Sequence, residues 1–134
     1  MHEVANPAGR LITFRIRQPV ADDNGAQASL DLRSQIVAHP DAVIVVTDLC
    51  EARTFSPETT DRFVALMKSD NPKLFRSAVL LGMDAAILGL QVVRMVKEAA
   101  NPARRAFFDA DELRSWLEPD CSEEERSALE AFFR

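Results

Sequence analysis

The stretch AVIVVTDL, residues 42–49, decides how the rest of the chain reads. Five apolar positions run without a break before Thr47 and Asp48. A run of this length, rich in β-branched residues, predicts a strand buried on both faces, with neighbours in a sheet and layers above and below. A hydroxyl-rich loop follows, DLCEARTFSPETT at 48–60, and then RFVALM at 62–67 with helical spacing. In α/β sheets the carboxyl end of a strand is where ligands sit, so Asp48, Thr54, Ser56, Thr59 and Thr60 are candidate contact residues. The same loop also satisfies the local needs of a helix start, with Ser56 as N-cap and Pro57 at the first helical position. The two readings are compatible, because a capping hydroxyl can carry a phosphorylation switch.

Toward the N-terminus, RLITFRIRQPV (10–20) alternates. Ile12, Phe14 and Ile16 share one face; Leu11, Thr13, Arg15 and Arg17 share the other. That pattern predicts a half-exposed edge strand, ended by Pro19. Residues 1–9 are expected to be a loose terminus and lack the apolar core of a signal peptide. ADDNGAQ (21–27) predicts a turn, and AQASLDLRSQIVA (26–38) a helix with Leu30, Ser34 and Val37 on one side and Leu32 and Ile36 beside them. His39-Pro40 stops it.

Toward the C-terminus, a helix over 57–69 carries Phe63, Leu66 and Met67, and RSAVLLG (76–82) predicts a second buried strand. AAILGLQVVRMVKEAA (85–100) predicts a helix with Leu88, Val92, Met95, Val96 and Ala99 on one face. Ala86, Ile87, Leu90 and Val93 widen that stripe beyond what one sheet face needs. A deeply buried helix, a subunit seam or the wall of an apolar pocket would each account for it, the last two through Met83, Ile87, Leu88, Leu90 and Met95. Gly89, which costs a helix about 1 kcal/mol relative to Ala, predicts close packing there. NPARRAFF (101–108) predicts a third core strand, followed by a short helix capped by Asp109 or Asp111. After the breaker EPD (118–120), Ser122 and Glu125 form a capping box, and Ala128, Leu129, Phe132 and Phe133 make an apolar stripe that must dock on this domain or on a partner.

At 134 residues the chain is the size of one domain and can bury a core without disulfides or metals. Cys50 and Cys121 form no CxxC, as expected for free thiols in the cytoplasm. No apolar run reaches the length of a membrane span, which argues against an integral membrane segment. The net charge is −5, and residues 109–134 hold nine acidic against three basic side chains. That balance argues against nucleic acid as a partner.

Enzyme signatures are missing. There is no GxxxxGK[ST], GxGxxG or GxSxG, and His2 and His39 have no ligand spacing around them. Asp22, Asp23 and Asp48 invite comparison with receiver domains, but about twenty-five residues separate the pair from Asp48. That interval holds one helix and one strand where a receiver needs two of each. No catalytic residue, metal or cofactor is expected; Asp48 would serve an enzyme only with partners that no motif places.

The order AVIVVTDL, helix, NPKLFRSAVLLG, helix and NPARRAFFDADELRSWL resembles the SpoIIAA-like proteins of the STAS and CRAL-TRIO-like fold group. Its most specific part is Phe107 and Phe108, Asp109 in the turn, and a helix closing with Trp116-Leu117. The resemblance spans about residues 10–118 and implies an α/β domain: a STAS-like mixed sheet of four or five strands with helices mainly on one face. An amphipathic helix at 119–134 is appended to it. It also implies a non-catalytic regulatory or protein-interaction module, self-associating as a homodimer or binding a regulatory partner. In STAS domains a serine in an Asp-Ser-Ser-Gly-like loop is phosphorylated; Ser56 is the nearest match, with Pro57 where the pattern departs. The alternative is a small apolar-ligand or lipid-binding protein with its ligand under the 85–100 helix.

Overall fold

The computed structural model describes residues 2–18 and 22–134. Its elements are β1 (His2–Ala8), β2 (Leu11–Gln18), α1 (Asp22–Ala38), β3 (Val43–Ala52), α2 (Pro57–Asp70), β4 (Leu74–Leu80), α3 (Ala86–Ala99), β5 (Arg104–Phe107), α4 (Ala110–Leu117) and α5 (Glu123–Phe132). The five strands lie side by side in sequence order. β1 is antiparallel to β2; every other pair is parallel.

The monotonic order has a structural consequence. Crossovers between parallel strands are right-handed, so three that step in one direction put α1, α2 and α3 on one face. There Ile12, Phe14, Val43 and Val45 of the sheet meet Leu32, Phe63, Leu66, Leu88 and Val92 of the helices. On the other face, Leu11, Ile44, Val46 and Leu80 meet Leu113 and Leu117 of α4 and Leu129 of α5. Successive residues of β3 serve opposite cores, as its unbroken apolar run requires. Because the strand order never reverses, the sheet has no switch point, where doubly wound sheets open a ligand crevice.

Residues 2–8 are a paired edge strand, not a loose terminus. The register slips between Ala5 and Ala8, so Pro7, which has no N–H to donate, sits at an irregularity. Asn6 Nδ2 donates to the carbonyls of Gly9 and Leu11, and Gly9 takes φ +48° in the turn. With β1 outside it, β2 is an internal strand rather than an edge, and its second face is also covered, with Leu11 and Thr13 buried. The strand stop at Pro19 lies outside the described residues.

Helix α1 begins at Asp22, inside the expected turn. Gly25 is a helix–helix contact: a Cβ there would stand 2.8 Å from the Thr59 hydroxyl of α2. The buried side of α1 is Ala28, Leu32 and Ile36, while Leu30 and Val37 face out. β5 is a short edge strand, not a core strand. The caps follow the sequence reading. Ser56 accepts from the Thr59 N–H, Asp109 from the Asp111 N–H, and Ser122 and Glu125 complete a reciprocal capping box. Helix α5 docks on its own domain, where Leu129 is fully buried.

Candidate functional site

The residues at 48–60 do not form one site. Side chains alternate across a strand, so Asp48 points to the α5 face of the sheet, whereas the start of α2 belongs to the other face. Arg15 Nε donates to Asp48 Oδ2 at 2.9 Å, and the Cys50 N–H donates to Oδ1 at 2.9 Å. Arg15 also donates through Nη2 to the Phe132 carbonyl at 2.5 Å, and its guanidinium lies 4.2 Å from the centre of the Phe132 ring. Asp48 thus orients an arginine that anchors α5. Cys50 is exposed, but partial desolvation of its thiol, reinforced by Asp48, pushes it up to about 12, so it stays protonated at neutral pH. Within the loop, Thr59 is fully buried against α1, and the Thr60 hydroxyl is buried without a hydrogen-bond partner among the described residues. Thr54 is exposed and Ser56 half-buried as the α2 cap.

The loop is tied to α3. The Phe55 N–H donates to Gln91 Oε1 at 3.0 Å, and Gln91 Nε2 donates back to the Phe55 carbonyl at 2.9 Å. This reciprocal pair fixes the loop against the middle of the helix and makes one surface of the two.

Helix α3 splits the expected ligand residues. Leu88 and Met95 are buried, while Met83, Ile87 and Leu90 are exposed by 86%, 68% and 74%. A helix lying on a sheet turns only one side inward, so these five residues cannot line a common pocket. The exposed set continues through Val93 and ends at Phe108, whose ring sits over Gly89: a Cβ there would stand 3.3 Å from two of its ring carbons. Gly89 therefore gives the ring room to lie on the helix. The resulting outer surface is a ridge at i, i+3 spacing, Ile87, Leu90 and Val93, flanked by Phe108 on one side and the Thr54 loop on the other.

Under the helices a cavity of about 80 Å³ lies between the sheet and α1, α2 and α3. Val92, Met95 and Val96 are the α3 residues that reach it, so of the five expected ligand residues only Met95 does. Its walls are mostly apolar, but Asp70, Ser77 and Arg104 also line it. Sequence reasoning passed over these three because a polar residue at an element end, as Asp70 and Arg104 are, or within a strand, as Ser77 is, carries no local sign that it lies beside a cavity.

Among the described residues no group of three His, Cys, Asp or Glu side chains converges as metal ligands, and no helix is long and apolar enough to cross a membrane. His2 pairs with Asp31 at 2.6 Å, and His39 Nε2 lies 2.9 Å from the Gly9 carbonyl.

No family model matches the sequence, and no curated protein matches it. The fold does match. An uncharacterized protein of the DUF3478 family with a SpoIIAA-like fold, from Shewanella loihica PV-4, superposes with a TM-score of 0.63 at 13% identity. The match covers 87% of this chain and 93% of that one.

Proposed function

We propose that this SpoIIAA-like domain is a non-catalytic, cytoplasmic protein-interaction module that works as a homodimer through the outer face of α3. The observation that carries the proposal is the exposed ridge Ile87, Leu90 and Val93, extended by Met83 and Phe108. A contiguous exposed apolar patch of this kind marks an interaction surface more often than a free one. A second copy suits it because an isologous contact pairs a patch with itself. With two α3 helices antiparallel about Leu90, Ile87 of one faces Val93 of the other, and Asp84 approaches Lys97. The apolar centre is then ringed by opposite charges. The Thr54 loop, held to α3 by Gln91, forms the rim, where a regulatory partner would read the dimer.

The non-catalytic reading draws support from Asp48, which is committed to Arg15 and the Cys50 N–H instead of standing in a set of acid–base partners. Sedimentation velocity and native mass spectrometry test the proposal. The wild type is expected to be dimeric at micromolar concentration and Leu90→Glu monomeric with an unchanged circular dichroism spectrum. Asp84→Lys should weaken the dimer, and adding Lys97→Asp should restore it. A wild type that stays monomeric at all concentrations would refute the seam.

A further inference from the structure

The cavity beneath the three helices is apolar at one end and polar at the other. Phe14, Phe63, Val92 and Met95 contribute to the apolar walls. The polar end gathers Asp70 at the end of α2 with Ser77 and Arg104, which are direct partners in the β4–β5 register. Asp70 is 5% exposed and Ser77 4%. No ion pair reaches Asp70 within 4.0 Å among the described residues. Its neighbour Ser69 leaves it under-satisfied: the Ser69 hydroxyl donates to the Leu66 carbonyl at 3.0 Å, and a carboxylate has about four acceptor positions. Arg104 does not spend itself on Asp70: Nε donates to Asn71 Oδ1 at 3.1 Å and Nη2 to the Met67 carbonyl at 2.8 Å. The Ser77 hydroxyl has no hydrogen bond among the described residues. Buried polar groups are normally paired, so an under-satisfied carboxylate and a hydroxyl facing one cavity are complementary to something that enters it.

We infer that this cavity is a binding site for a small uncharged molecule with an apolar body and a single head that both donates and accepts hydrogen bonds, such as a small branched alcohol or amide. Size sets the first limit. The cavity has about half the volume of the apolar cavity that holds benzene, so it takes on the order of five non-hydrogen atoms. A lipid chain does not fit. Charge sets the second limit. An ammonium group would pair with Asp70 but face Arg104 and Arg33; a carboxylate would face Asp70; either would be stripped of water. A neutral hydroxyl or amide donates to Asp70 and accepts from Ser77 or the remaining Arg104 donors. The site is separate from the α3 ridge, since Val92 and Met95 point inward and Leu90 outward.

Methyl-detected NMR titration of the intact protein tests this with isobutanol, isobutylammonium, isobutyrate and xenon as probes. Isobutanol is expected to shift the methyl groups of Val45, Val92 and Met95, saturating in the millimolar range, and to leave Leu90 and Val93 unmoved. Both charged analogues should bind about tenfold more weakly or not at all. Ser77→Ala and Asp70→Leu should each weaken isobutanol several-fold while the xenon shifts persist; if Asp70→Leu does not fold, Ser77→Ala decides. Isobutanol shifts confined to the α3 ridge, tighter binding of either charged probe, or isobutanol binding unaffected by Ser77→Ala would each overturn the inference.

Discussion

The two faces of the sheet are packed by different means. The face under α1, α2 and α3 has the larger apolar cluster, yet it encloses a cavity and a poorly satisfied carboxylate at Asp70. The face under α4 and α5 has a smaller cluster, fastened at its margins by charged groups. Glu125, 2% exposed, accepts from the N–H groups of Arg10 and Ser122 and from the Arg10 guanidinium. Arg10 also donates to the Asp120 carbonyl, Arg76 pairs with Asp120 at 3.2 Å, and Arg15 holds Phe132. Three crossover helices placed by chain handedness meet the sheet at fixed spacing and leave residual space between them. Helices α4 and α5 do not cross between strands of this sheet, so specific polar anchors can draw them down. Abundant apolar area and complete packing are therefore separate properties.

Helix α5 is expected to be part of the core and not a dispensable cover. Leu129→Ala removes a fully buried side chain and is expected to cost about 3 kcal/mol. Urea denaturation measures this, and a loss under 1 kcal/mol would mean that α5 contributes little to the core. Leu90→Ala, on the exposed ridge, should by contrast change the stability of the monomer by less than about 0.5 kcal/mol.

The two buried carboxylates respond to pH in opposite senses. Burial raises the pKa of Glu125, but the N–H groups of Ser122 and Arg10 and the Arg10 guanidinium outweigh it, so the net shift is below the ordinary 4.5. Its stabilisation is therefore fully present above about pH 4.5 and is lost as pH falls through the lowered value. Asp70 runs the other way. Burial raises it above 3.8 against the partial compensation of Arg104 and Arg33, so its contribution is present below 3.8 and lost as pH rises through the raised value. Glu125→Gln should cost on the order of 2 kcal/mol at pH 7 and reduce the acid sensitivity. Asp70→Asn should stabilise at pH 7 and converge on the wild type near pH 3. Urea midpoints between pH 3 and 7 read both, and equal pH slopes for the two variants would refute the contrast.

The smallest effects come from one added methylene group on adjacent residues of β3. Val45 borders the cavity and Val46 lies in the opposite core. Val45→Ile should gain about 0.5 kcal/mol by filling space, and Val46→Ile should lose about 1 kcal/mol by overpacking. Thermal unfolding distinguishes them; a loss at Val45 as large as that at Val46 would mean that the cavity is not there to fill.

Short-range pattern in the chain encodes the local elements. The apolar run at 43–46 required two layers, and both are there. Ser56, Asp109 and the Ser122–Glu125 box marked three helix starts, because a cap and the N–H groups it serves lie within three residues of each other. The inner stripe of α3 was legible from its period. Features that depend on partners far along the chain follow from how distant segments pack. HEVANPA (2–8) has little strand signal of its own and becomes β1 because β2 offers it an open edge. Arg15, read as an exposed strand charge, is a half-buried anchor because α5 arrives more than a hundred residues later. Gly25 looked like a turn residue and is a helix–helix contact because Thr59 presses against it. The outer side of α3 stays bare, and Asp70 is sealed in, because three helices of set length cannot cover one another and fill the space beneath them at once. Periodicity says which residues share a face; the packing of distant segments says which face finds a partner.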